Sequence, residues 1–91
     1  MGIFDACCKI KLKSWKGDYL HRKDTDNEST KVTAWGTGVG NVWTVERIDN
    51  ERIKLKSWKG DYLHRKDTDD ESTKVTAWGT GVGNEWTVEL I

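Results

Sequence analysis

The sequence predicts an all-β protein made of two copies of one four-stranded unit. Residues 10–48 and 53–91 are identical at all but three of their 39 positions, with an offset of 43 residues. Apolar and polar side chains alternate with a period of two inside each copy, and no stretch shows helical spacing. Four short strands in about 40 residues, given twice, indicate a closed barrel or a sandwich. The three differences are Asn27 against Asp70, Val42 against Glu85, and Arg47 against Leu90.

Each copy divides into four predicted strands separated by turn-rich segments. In the first copy the strands are expected at residues 10–15, 19–23, 31–35 and 42–48. A Lys-Gly-Asp turn, an acidic and hydroxyl-rich loop, and a glycine-rich loop separate them. Residues 49–52 join the copies and are too few for a linker between independent domains. Residues 1–9 stand apart as a leader.

Composition and charge exclude several classes of protein. Lys plus Arg and Asp plus Glu are 15 each, so the formal net charge is zero, which argues against a nucleic-acid partner. No apolar run is long enough for a transmembrane segment or a signal-peptide core. We therefore expect a cytoplasmic protein, or one released by a non-classical route. The adjacent Cys7 and Cys8 offer no disulfide framework.

Catalytic and metal-binding patterns are absent from the sequence. It has no nucleophile elbow, no readable Cys–His pairing and no clustered metal ligands. The acidic loop at residues 24–28 has the composition of a calcium loop without the spacing of an EF-hand. The sequence therefore predicts a binding protein that is not an enzyme and needs no cofactor or metal.

The tryptophans fall into two groups by strand alternation. Trp43 and Trp86 share the inward face with Val45 and Val88, so we expect them in the core. The remaining tryptophans fall on the outward faces: Trp15, Trp35, Trp58 and Trp78.

One outward set in each copy suits a sugar ligand. An exposed aromatic ring beside a carboxylate and an imidazole can pack on the C–H face of a sugar and bind its hydroxyls. The predicted carbohydrate-binding residues are Trp15, Asp18, Tyr19 and His21 in the first copy and Trp58, Asp61, Tyr62 and His64 in the second. The alternative is that these tryptophans seal a repeat–repeat or subunit interface. Trp35 is expected to be structural.

The string Gly17-Asp18-Tyr19-Leu20, followed later by Trp43-Thr44-Val45-Glu46, resembles a β-trefoil repeat of the fascin and hisactophilin type. Both motifs return in the second copy. The resemblance implies a fold with three such units around a pseudo-threefold axis, whereas this chain has two. We therefore expect a homo-oligomer, with three chains and six repeats as the smallest closed solution. A two-motif βγ-crystallin-like sandwich is the alternative fold, although its calcium-loop signature is missing.

Three functions follow as hypotheses. The first is lectin-like recognition of a glycan, strengthened by avidity between repeated sites. The second is actin binding, which the resemblance to fascin implies, through the basic residues Lys11, Lys13, Lys16, Arg22 and Lys23. The third is purely structural self-assembly of a duplicated or engineered repeat.

The leader carries part of an acylation signal. Gly2 could accept myristate, and Cys7 or Cys8 could accept palmitate. Residue 6 is Ala where Ser or Thr is expected, so lipidation is disfavoured.

Overall fold

The computed structural model of the chain describes residues 9–91 and confirms an all-β fold. The strands of the first repeat are β1 (Lys9–Ile10), β2 (Tyr19–Arg22), β3 (Val32–Trp35) and β4 (Trp43–Arg47). Those of the second repeat are β5 (Arg52–Lys56), β6 (Tyr62–Arg65), β7 (Val75–Trp78) and β8 (Trp86–Thr87). Within residues 9–91, the only helical segments are the 3₁₀ turns Val39–Asn41 and Val82–Asn84.

The two repeats share one antiparallel sheet. Its strand order is β1-β4-β5-β6-β7, with β8 also pairing with β5, while β2 and β3 form a separate hairpin. The β4–β5 pair runs from Thr44 opposite Lys56 to Arg47 opposite Ile53. The boundary between the repeats therefore lies inside a β-hairpin, which explains why the copies pack as one body.

Asp49 shapes the turn of this hairpin. Its Oδ1 accepts hydrogen bonds from the backbone N–H groups of Glu51 at 2.9 Å and Arg52 at 2.8 Å. The bond from Glu51, together with the side chain and backbone of Arg52, lowers the pKa of Asp49 to about 2. The Arg52 guanidinium also pairs with Glu85, at 2.8 Å, so a residue that differs between the copies anchors the turn.

The core lies where the two repeats meet. Its buried members come from both copies: Trp43, Val45, Ile53, Leu55 and Leu63. The indole N–H of the fully buried Trp43 donates to the backbone oxygen of Leu20 at 3.1 Å, so its polar atom is satisfied. Trp86 makes the same bond to Leu63 at 3.0 Å and packs against the core, as predicted for this pair.

The predicted first strand, residues 10–15, is wrong for the first repeat. It is reduced to β1 and an isolated pairing of Lys13 with Tyr19, although the corresponding residues of the second repeat form the five-residue β5. Similarly, β8 has two residues where β4 has five. The strands β4 and β5 are longer because they pair with each other along their length. Among the described residues, no further strand pairs with the other edge of β1 or of β8.

Candidate functional site

A cleft of about 250 Å³ opens at the junction of the two repeats. Its lining comes from the loop after β2 and from β6 and β7: Glu28, His64, Lys66, Thr76 and Trp78. The β6–β7 register places His64 opposite Thr76 and Tyr62 opposite Trp78. Because side chains of paired residues stand next to each other on a sheet, the hairpin brings imidazole and hydroxyl together.

Trp78 supplies the apolar wall of the junction cleft. Its side chain is half exposed, at 49%. The Lys31 ammonium, from the first repeat, lies 5.3 Å from the centroid of the Trp78 ring, which is cation–π distance. Lys31 is itself buried, so the contact fixes the ring from one side and leaves part of it open to a ligand.

His64 is held in one orientation by a buried amide. Its Nδ1 lies 2.8 Å from Oδ1 of Asn84, a residue that is almost fully buried. Since an amide oxygen can only accept, Nδ1 carries a proton, and in the neutral ring Nε2 is therefore the acceptor. A Cβ on Gly83 would lie 2.5 Å from Cε1 of His64, so glycine at this position makes room for the ring.

Glu28 brings the acidic loop of the first repeat over the cleft. Its carboxylate pairs with the Lys66 ammonium at 3.1 Å, and its backbone oxygen accepts a hydrogen bond from Thr76 Oγ1 at 3.2 Å. The site therefore presents one aromatic face beside a carboxylate, an ammonium and an imidazole acceptor.

The first repeat carries a corresponding cleft that is larger. It measures about 400 Å³ and is lined by His21, Lys23, Thr30, Thr33, Ala34 and Trp35. Thr33 is exposed here, whereas the corresponding Thr76 is fully buried beneath the Glu28 loop. The difference arises because the Glu28 loop covers Thr76, whereas no loop within residues 9–91 covers Thr33 in this way.

Three of the predicted carbohydrate-binding residues of the second repeat face the first repeat instead. The Trp58 indole donates to the Arg22 backbone oxygen at 2.8 Å. The Asp61 carboxylate binds the Arg22 guanidinium, also at 2.8 Å, and the Tyr62 hydroxyl donates to Glu46 at 2.9 Å. These contacts match the alternative in which the aromatic residues seal an interface between repeats. His64 is the one member of that set that lines the junction cleft.

The interface perturbs the ionisation of both polar groups. Burial alone would raise the pKa of Asp61, but hydrogen bonds from Arg22 and Ser57 and the positive charge of Arg22 outweigh it and lower the pKa. The hydrogen bond to Glu46, together with partial burial, raises the pKa of Tyr62. Both directions favour the ionisation states that form the contact, carboxylate for Asp61 and neutral phenol for Tyr62.

The predicted set of the first repeat does not converge either. Trp15 is 93% exposed, and its ring is contacted by the Lys16 ammonium. Asp18 accepts a hydrogen bond from Ser14, and Tyr19 lies under Lys11. His21 binds Asn41, as His64 binds Asn84. In the first copy the aromatic ring beside the imidazole belongs to Trp35, and in the second it belongs to Trp78. Alternation placed these tryptophans on the outward face, but they were expected to be structural.

The basic set suggested for actin requires one correction. Arg22 is 2% exposed because Asp61 and the backbone oxygens of Lys23 and Thr25 surround its guanidinium. The four lysines of that set are exposed. The lipidation candidates Gly2, Cys7 and Cys8 lie outside the described residues.

Residues 9–91 contain no group of three or more His, Cys, Asp or Glu side chains that could hold a metal ion. In that same part of the chain, no helix has the length and apolar character needed to cross a membrane.

Fold and sequence together place the chain among the β-trefoil proteins. Residues 1–70 match the family described as a beta-trefoil domain of unknown function, DUF569, and the chain belongs to this family. The narrower resemblance to fascin and hisactophilin stays a prediction. No curated protein matched the sequence, and no solved structure matched it.

Proposed function

We propose that this protein is a non-catalytic carbohydrate-binding module whose site is the junction cleft. The observation that carries the proposal is the half-exposed Trp78 ring beside His64, Lys66 and Glu28. A sugar needs an apolar wall for its C–H face and a few fixed polar groups for its hydroxyls, and this cleft provides both.

Each polar group has a definite role toward a sugar. His64 Nε2 accepts a hydrogen bond from a hydroxyl, because Nδ1 is committed to Asn84. The Glu28 carboxylate accepts further hydroxyl hydrogens, and the Lys66 ammonium donates to ring or hydroxyl oxygens. Since Glu28 and Lys66 already pair, the site stays close to neutral and suits an uncharged sugar.

The burial of Arg22 favours this proposal over actin binding. The first repeat's basic set loses its arginine to the repeat–repeat interface, so four lysines remain for a filament surface. The cleft, by contrast, exists in both repeats and offers the repeated weak sites from which a small lectin gains avidity.

A glycan array probed with the full chain tests the proposal. We expect defined hits that weaken in Trp78→Ala and in His64→Ala, because these variants remove the wall and the acceptor of the junction cleft. The hits should disappear when Trp35→Ala is combined with Trp78→Ala, which removes the wall of both clefts. Val82→Ala is the matched control, since Val82 is 81% exposed and lies outside the junction cleft. Circular dichroism verifies that each variant is folded. A folded wild-type chain without any hit overturns the proposal, as does binding that Trp78→Ala does not weaken or that survives the combined Trp35→Ala and Trp78→Ala variant.

A further inference from the structure

Identical residues are buried in one repeat and exposed in the other. Arg22 is buried and Arg65 is exposed; Leu55 is buried at 5% exposure and Leu12 is exposed at 40%. Because the sequences around these pairs are the same, the difference comes from their neighbours alone. Each repeat therefore has one side in contact with the other repeat, called here the satisfied side, and one exposed side, called here the open side.

The satisfied sides form the interface between the two repeats. Its centre is the Arg22–Asp61 pair, flanked by the Trp58 indole on the Arg22 backbone oxygen. Lys59 binds Asp24 at 2.5 Å beside them. The interface continues through Tyr62 with Glu46, Lys66 with Glu28, Thr76 with the Glu28 backbone, and Lys31 with Trp78.

The two open sides carry the residue types that form the contacts between the repeats, with one partner of each contact on each side. The leading face of the first repeat consists of Trp15, Lys16, Asp18, Tyr19 and Lys23. The trailing face of the second consists of Arg65, Asp67, Glu71 and Glu89. When both partners of each contact between the repeats are replaced by the corresponding residues of the other copy, the two residue types are the same in every case. The resulting pairs are Arg65 with Asp18, the Arg65 backbone oxygen with Trp15, Asp67 with Lys16, Glu71 with Lys23, and Glu89 with Tyr19.

The trailing face already has a depression for the incoming tryptophan. It measures about 560 Å³ and is lined by His64, Arg65, Lys66, Asp67 and residues 81–83. At the corresponding place on the first repeat, Trp58 and Lys59 fill the space against Arg22 and Asp24. Trp15 is the matching side chain, and no described residue accepts a hydrogen bond from its indole.

The strand edges lead to the same conclusion. Where β4 and β5 pair, Val45 lies opposite Leu55. The same register would place Val88, after β8, opposite Leu12 of another molecule. This pairing would cover the exposed Leu12 and satisfy two open sheet edges, which are otherwise liable to uncontrolled association.

We propose that the leading and trailing faces bind repeats from other copies of this chain. A β-trefoil closes with three repeats. The two repeats in residues 10–91 fill two of these places, and a repeat of another copy can fill the third. A repeat can fill that place only when both of its sides are free. One of the chains must therefore separate its two repeats at residues 49–52. Exchange of an identical element is a low-cost route to assembly. Three chains then form two complete trefoils.

Light scattering and sedimentation of the full chain test this assembly. With 10.4 kDa per chain, we expect a mass of about 31 kDa. Trp15→Ala should weaken association by at least about tenfold, as expected for a central buried tryptophan. Its fold should persist, because the Trp15 side chain is 93% exposed. Arg65→Ala is a second variant on the opposite face. Thr37→Ala is the control, because Thr37 is exposed and belongs to neither face.

Two results would overturn the proposal. One is a wild-type mass of a single chain at the highest soluble concentration. The other is a trimer that neither Trp15→Ala nor Arg65→Ala weakens. Because these variants leave Trp78 in place, failure of the assembly is distinguishable from failure of glycan binding.

Discussion

Arg22 and Asp61 join the two repeats through an ion pair in which Nη2 lies 2.8 Å from Oδ2 and the arginine side chain is almost fully buried. The Arg22 Nε also donates to both carboxylate oxygens at 3.2 Å. Its Nη1 binds the backbone oxygens of Lys23 and Thr25. One side chain therefore ties the loop after β2 to the second repeat.

Arg22→Ala is expected to lower the free energy of unfolding by about 3 kcal/mol, because it leaves the partly buried Asp61 carboxylate, whose side chain is 20% exposed, without its partner. Chemical denaturation monitored by tryptophan fluorescence measures the change. Arg47→Ala is the matched control: Arg47 is exposed and bonds to the turn at Asp49 and Asn50, so its loss should cost less than about 1 kcal/mol. Equal losses in the two variants would contradict the special role of Arg22.

The same pair predicts a pH dependence. Folding lowers the pKa of Asp61, so its stabilisation is fully present above the unfolded value of about 3.9 and disappears as the pH falls through the folded value. Asp61→Asn should therefore be clearly less stable than the wild type at neutral pH, and the difference should shrink below about pH 4. Denaturation curves of both proteins at several pH values measure this. A difference that is independent of pH would show that the Asp61 charge is not what stabilises the interface.

The sequence predicted the repeat, the order of the strands and the inward tryptophans because all three are local patterns. Alternation alone places Trp43 and Val45 on one face, and the structure buries both. It could not predict that β1 is shorter than β5, since the residues are the same and only the neighbouring strand differs.

The site was harder to predict for a similar reason. Alternation correctly placed Trp58 and Tyr62 off the core face, but it does not distinguish solvent from a neighbouring repeat. The Arg22–Asp61 contact spans 39 residues, so no local pattern reveals it. A signal for the cleft did exist: Trp78 and His64 are outward residues on strands that pair, and their register brings them to the same hairpin.

Gly40→Ala is expected to destabilise the fold by about 2 kcal/mol, because the added methyl group cannot be accommodated without strain. A Cβ at this position would lie 2.4 Å from the Arg22 backbone oxygen and 2.5 Å from His21 Cε1. The displaced oxygen is also the acceptor for Trp58. Gly36→Ala is the control, since nothing lies within 4 Å of its Cβ position. Thermal unfolding followed by circular dichroism compares them, and similar melting temperatures would contradict close packing at Gly40.

Trp58→Phe tests the hydrogen bond between repeats while it keeps an aromatic ring in place. The variant leaves the Arg22 backbone oxygen without the indole donor at 2.8 Å, so we expect a loss of about 1–2 kcal/mol. Trp35→Phe is the matched control, because Trp35 is exposed on β3, and its loss should remain below about 0.5 kcal/mol. Urea denaturation of the two variants at the same protein concentration gives the comparison. If Trp35→Phe were the more destabilising substitution, the repeat–repeat interface would not depend on Trp58 in the way its geometry indicates.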